Sequence, residues 1–320
     1  MWSNFTLSNY NKLKSIGKKY IDLDSLYFKE TYKNLLKIKS MNLIQYKIKN
    51  INIKKDLLLV LISSEWVYKK VINKIDNLDT EYLIYWNNNK IYLKCTDDKY
   101  IKILKRLQHL LRMIEFIKND NKENVVIYLL LSNLKKKINN NNKKIKPKNI
   151  NSGYTDIINR YIFIWREEEF EKVLFHELVH FYELDHRDEI YENYLEFESL
   201  YEAITDLKGI TCNLIYLSLI TNKKIDKLIN YEFSFINNQS IMINNLINEN
   251  IKLTTPAFSY YVLKSMVINY ITSNKFSLEE YNNLFILNKN FYVIIKKLNK
   301  IKEVKYINFD SCRMTFFELE

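Results

Sequence analysis

The sequence predicts an α+β fold, with an α/β region first, strands and helices interleaved after it, and a mostly helical region at the end. Three observations carry this. Two alternating runs, Tyr82–Trp86 and Ile91–Cys95, flank the Asn-rich stretch Asn87–Lys90, which is the pattern of a β-hairpin. The uninterrupted run Val125–Leu131 is apolar and β-prone on both parities, as a strand buried on both faces must be. Apolar residues at helical spacing dominate residues 97–118 and return beyond residue 210. With 320 residues, 47 % of them hydrophobic and 14 % aromatic, the chain can bury a real core and is not a disordered polymer.

Three regions follow in order. In residues 1–96, Leu23–Lys39 has helical spacing and the hairpin follows; no catalytic constellation occurs there, so the region serves packing or a role of its own. Residues 97–215 form the core. Its first helix, 97–118, carries the apolar stripe Ile101, Leu104, Leu107, Leu111, Ile114 and Phe116, and the isolated His109 on it reads as an ordinary surface or core histidine. The segment Lys135–Asn149 is rich in Lys and Asn, contains Pro147, and reads as an exposed loop. Ile150–Thr155 and Tyr161–Trp165 are two short strands. Glu167, Glu168 and Glu169 then open a helix, whose dipole three first-turn carboxylates would complement. Phe170, Val173, Leu174, Leu178 and Phe181 supply its buried side. Residues 216–320 form a mainly helical C-terminal domain.

A net charge of +12 invites a nucleic-acid partner. The chain has no RGG run, aromatic RNP-like strand or zinc-finger spacing. Abundant Lys, Asn, Ile and Tyr beside 3 Gly and 2 Pro reflect an A+T-rich coding sequence, so the charge reads as a solvated basic surface. Cys95, Cys212 and Cys312 are odd in number and far apart, which suggests a reducing compartment rather than a disulfide framework. The N-terminus has no basic-then-apolar signal, and the runs Leu57–Ile62 and Val125–Leu131 are too short to span a bilayer. A cytoplasmic, membrane-independent protein is expected.

The chemistry concentrates in Glu171–His180. His176, Glu177 and His180 spell H-E-x-x-H. Residues four apart share a helix face, so both imidazoles can reach one metal ion, and Glu177 beside them can take a proton from water. Zinc hydrolysis of a peptide bond needs this set. With 4 histidines in the chain, chance produces the pattern roughly 0.3 % of the time.

A catalytic zinc usually has three protein ligands and one open position. His186 lies ten residues after His176, as in H-E-x-x-H-x-x-G-x-x-H, but Glu183 stands where that pattern puts glycine in a left-handed turn. The other candidate is Glu202. Glu198, Glu202 and Asp206 fall on one stripe of a following helix, where Glu202 would complete the ligand set and Asp206 would accept the free ring N–H of His176, with Glu198 as further support.

The combination of H-E-x-x-H with Glu202-Ala-Ile-Thr-Asp206 resembles the gluzincin, thermolysin-like branch of the zincin metallopeptidases, over roughly residues 97–215. Asn-Ser-Gly-Tyr-Thr, Ile-Trp-Arg-Glu-Glu and Arg313-Met-Thr are similar to uncharacterised metallopeptidases of large nucleocytoplasmic DNA viruses. The resemblance implies a zincin-like core, a zinc ion (Zn2+) on His176, His180 and Glu202, Glu177 as general base, and a peptide or protein substrate in host cytoplasm or virion. It implies that Asn151, Gly153 and Tyr154 belong to an edge strand that pairs with an extended substrate. It also implies an oxyanion donor from across the cleft. No histidine follows His186, so Tyr260 or Tyr261 in Thr255–Tyr261 is the candidate, although with 25 tyrosines in the chain packing is the more common role for either one. Arg313 either meets a substrate carbonyl, supports the zinc site or forms a surface salt bridge. The alternative function is a catalytically inactive zincin-like binding or virion structural protein; the presence of every ligand type and of the base favours the enzyme.

Overall fold

A computed structural model describes residues 2–16, 23, 25–53, 67, 70–118, 123–137, 144–185, 195–249, 252–253, 256–272, 307 and 311–319, the side chains of 195–200 and 252–253 excepted. The run Leu57–Ile62, His186, the side chain of Glu198, Thr255 and most of the region expected to be helical beyond residue 272 lie outside these residues.

The elements in order are α1 (Asn4–Ile16), α2 (Leu26–Ser40), β1 (Lys47–Asn50), α3 (Lys70–Asp76), β2 (Thr80–Trp86), β3 (Asn89–Cys95), α4 (Asp97–Lys118), β4 (Val126–Ser132), β5 (Lys144–Ile145), the single turn α5 (Pro147–Ile150), β6 (Gly153–Asp156), β7 (Tyr161–Arg166), α6 (Phe170–Phe181), α7 (Leu195–Thr221), α8 (Ile225–Asn248), β8 (Lys252–Leu253), a π-helical turn Ser259–Leu263, and α9 (Lys264–Ile271). This is a mixed α+β protein. Six strands form one sheet in the order β1-β2-β3-β4-β7-β6. β4 runs parallel to both neighbours, and β6 is an antiparallel edge. The sheet joins strands from residues 1–96 to strands from 97–215.

Local sequence explains the key elements. Asn87 and Asn88 close the β2–β3 hairpin at φ 43 and 65. A two-residue type I′ turn needs positive φ at both central positions, and asparagine tolerates it better than most residues. In β4, Ile127, Leu129 and Leu131 join the large helical core, while Tyr128 and Leu130 join a smaller one with Val71, Ile75, Phe163 and Trp165. Both faces are buried, as the unbroken apolar run implies.

Three sequence expectations are corrected, the first only in part. On α4 the expected stripe holds at Leu107, Leu111 and Ile114, with Leu104 and Phe116 half-buried against the core; Ile101 is the exception at 51 % exposed, and Ile103, Leu110, Met113 and Ile117 complete the buried side. Residues 135–149 are more than an exposed loop, since Lys136 and Ile145 are buried and β5 pairs with β8. The three glutamates do not make the first turn of α6. That helix starts at Phe170, and Glu169 precedes it in the left-handed region at φ 59. Glu168 and Glu169 are buried anchors: Glu168 accepts from the Lys136 N–H (2.6 Å) and pairs with Arg313 (3.0 Å), while Glu169 pairs with the Lys136 ammonium (2.7 Å) and accepts from the Thr315 N–H (2.6 Å). These bonds hold the buried segment Cys312–Leu319 under α6.

Among the described residues one helix, Tyr201–Thr221 within α7, is long and apolar enough to cross a membrane. In this fold 72 % of that stretch is buried inside the protein, packed against α6, α4 and the π-helical turn.

Candidate metal centre

α6 packs against β6 and β7 on one side and α7 on the other, and is buried along its whole length. The α6–α7 contact is unusually close at one point. A Cβ on Gly209 would lie 3.0 Å from the backbone N and Cα of His176, so the helices touch main chain to main chain at that histidine. Glycine-to-alanine inside a helix normally stabilises by about 1 kcal/mol. Here Gly209→Ala is expected to destabilise by about 1–3 kcal/mol in urea unfolding, because the helices must separate. A stabilised variant would contradict the close approach.

The approach brings Glu202 to the histidines. His176 Nε2 and His180 Nε2 are 3.1 Å apart, and Glu202 Oε2 lies 3.5 and 3.6 Å from them. Three donors around a four-coordinate ion at about 2.0–2.1 Å should stand about 3.3–3.4 Å apart, so the triangle fits an ion of that size. The opposite ring nitrogens are fixed. His176 Nδ1 lies 3.1 Å from Asp206 Oδ1, and His180 Nδ1 meets Asp185 Oδ2, which also accepts from the Thr205 hydroxyl (3.3 Å). With both Nδ1 atoms donating to carboxylates, both Nε2 lone pairs and a carboxylate oxygen converge on one point. Such a point draws positive charge. Burial would lower the pKa of His180, but Glu202 and Asp185 push it up to about 10. Against the same burial, Asp206 and Glu202 raise His176. Burial would raise Glu202, yet His180 and His176 hold it well below the ordinary carboxylate range.

Asp206 is fully buried and carries two further partners, the ammonium groups of Lys172 and Lys264, the latter at 2.6 Å. Burial alone would raise the Asp206 pKa; the two lysines and His176 hold it well below the usual range.

Glu177 faces the same cleft, with Thr155 donating to its Oε2 at 2.8 Å. Asn151, Gly153, Tyr154, Pro256 and Tyr260 line the rest of it. The space is about 560 Å³, open solvent at its mouth included. Tyr260 donates to Glu202 Oε2 (3.3 Å), and burial with the nearby carboxylates raises its pKa well above the usual range, so the hydroxyl stays a donor. No family model, curated protein or solved structure matches this chain.

The fold therefore gathers His176, Glu177, His180, Glu202, Asp206, Tyr260, Asn151, Gly153 and Tyr154 at one place. Two candidates fall elsewhere. Tyr261 points away and donates to the Cys312 carbonyl (2.5 Å), one residue further round the turn than Tyr260. Arg313 is buried between Glu168 and Glu318 and over the Phe5 ring (4.4 Å), so it contacts neither the cleft nor the metal candidates and is no surface salt bridge. Glu198 lies on α7. The left-handed turn that disfavours Glu183 is made nonetheless, at φ 53. The Leu184 N–H reaches back to the Val179 carbonyl (3.0 Å), a Schellman closure that returns Asp185 to His180. Sequence reasoning missed Asp185, Thr155, Lys172 and Lys264. Lys172 had a signal, standing one turn before His176; Lys264 had none until Tyr260 was placed one turn before it.

Proposed function

We propose that this protein is a zinc-dependent peptidase of zincin-like architecture. The supporting observation is the convergence of three metal-ligand atoms, from His176, His180 and Glu202, at a cleft that also holds Glu177 and β6, the outer strand of the sheet among the described residues. Two imidazoles with one carboxylate is a donor set that suits zinc and leaves a fourth position open. Zinc held there supplies Lewis acidity, making water acidic near neutral pH and polarising a carbonyl.

The protein's own residues supply the rest. Glu177, held by Thr155, takes the proton from the attacking water and returns it to the leaving amine. Tyr260 donates to the oxygen that gains negative charge as the carbonyl is attacked. β6 binds the substrate by strand addition. The bond from Trp165 N–H to Ser152 O (3.0 Å) sets the phase of the β6–β7 ladder, so Gly153 and Thr155 turn their main-chain groups to the cleft. A Cβ on Gly153 would lie 2.9 Å from Val173 Cγ1, so glycine lets this strand lie flat on α6.

Elemental analysis tests the metal. Wild type should carry about one zinc per chain, and Glu202→Ala should lose at least about tenfold in occupancy, while His186→Ala should keep it. Zinc should also raise the thermal midpoint of the wild type and not of the Glu202 variant, because it binds only the folded state. A wild type that binds no zinc rules the proposal out. Loss in the His186 variant alone would move the third ligand there.

A further inference from the structure

Thr155 stands where the strand edge meets the general base. Its side chain lies on the α6 face of β6, with the hydroxyl 2.8 Å from Glu177 Oε2 and 2.9 Å from the Glu177 backbone carbonyl oxygen. One proton serves both acceptors, so the hydroxyl is held against Glu177 whichever it bonds. The main chain of Thr155 does something else. Ser152, Tyr154 and Asp156 direct their peptide groups to β7, while Gly153 and Thr155 direct theirs to the open edge, where no backbone partner meets them among the described residues. The two residues before Thr155 are also fixed. Tyr154 packs on the far face of the sheet against Tyr161, Phe163 and Trp165, and Gly153 is pressed on Val173. A shift of this edge at Thr155 is therefore passed directly to the Glu177 carboxylate through the Thr155 hydroxyl.

We infer that Thr155 couples pairing of an extended peptide on β6 to the orientation of Glu177, so that the site acts on peptide segments long enough to lie along the strand rather than on dipeptides. The inference rests on the peptidase reading above. Thr155 is a positioning residue: clamping Oε2 leaves Oε1 to meet the water, and a paired substrate strand holds the clamp still. Binding contacts remote from the scissile bond then appear in kcat as well as in KM, because they fix the geometry of the base.

The test uses the zinc-loaded full chain and a series of peptides of two to eight residues sharing one scissile pair. Wild-type kcat should rise roughly tenfold or more between the shortest and the six-residue substrates. Thr155→Val keeps the strand and removes the hydroxyl. It should lose roughly tenfold or more in kcat on six residues and flatten the length dependence, with KM within about threefold and zinc content unchanged. Thr155→Ser should recover most of the loss. An uncleavable six-residue analogue should bind wild type and the valine variant with dissociation constants within about threefold, which separates positioning from substrate binding. A valine variant with wild-type kcat, or one slowed equally at every length, overturns the inference while leaving the peptidase reading standing. A wild type that binds zinc and cleaves nothing overturns both.

Discussion

Replacing Glu177 by Gln is expected to lower kcat by about 10³-fold or more while leaving zinc content and folding stability unchanged. The reason is geometric. Glu177 lies in the cleft with only 7 % of its surface exposed, one oxygen held by Thr155. Glutamine keeps that shape, and its amide oxygen can still accept from the Thr155 hydroxyl. Its amide nitrogen then stands where Oε1 stood, and it cannot take a proton from water. Neither His176, His180 nor Glu202 loses a partner by the exchange, so metal should stay. The measurements are zinc stoichiometry, the thermal midpoint and cleavage of a peptide library by the two proteins side by side. Equal cleavage removes Glu177 from the chemistry. Zinc and peptide binding by both proteins with cleavage by neither would instead favour a zincin-like binding module.

How much of this was readable beforehand depends on the distance over which the information is stored. H-E-x-x-H and E-x-x-x-D are statements about one helix each, and helix periodicity alone put each set of side chains on one face. The β2–β3 hairpin was legible because Asn87-Asn88 both closes the turn and sets its register. β4 was legible because burial on two faces leaves no polar positions. What failed was set by contacts across long separations. Glu168 and Glu169 look like a helix-start charge cluster until Thr315 and Arg313, nearly 150 residues later, are docked on them. Tyr260 and Tyr261 are adjacent in sequence, and the orientation of the π-helical turn Ser259–Leu263 decides which one meets Glu202. Asp185 is reached only through the closure at Glu183, and no sequence rule distinguishes a glutamate that adopts φ 53 from one that does not. The role of Gly209 was silent for the same reason, because a glycine inside a helix looks like a weakness until its neighbour is known.

Asp206→Ala should be the most damaging single change for folding, costing about 3–5 kcal/mol. It would leave Lys172 and Lys264 as buried cations without their shared carboxylate, 2 % and 1 % exposed at the side chain. A typical domain is stable by about 5–15 kcal/mol, so such a loss brings unfolding close to physiological temperature. Because an unfolded variant cannot report on the metal, a compensated form is needed. Lys172→Met and Lys264→Met combined with Asp206→Leu replace the ionic cluster by apolar groups of similar length, a kind of exchange that is often neutral or stabilising. The triple variant should regain most of the lost stability in urea unfolding. Its zinc affinity should nevertheless remain about 10–100-fold below wild type, since nothing then holds the Nδ1 proton of His176 or the plane of its ring. If Asp206→Ala unfolds within about 1 kcal/mol of the wild type, the cluster is not what secures α7 against α6 and α9. If the triple variant binds zinc as tightly as the wild type, Asp206 serves the fold alone, and the orientation of His176 must come from its packing between the two helices.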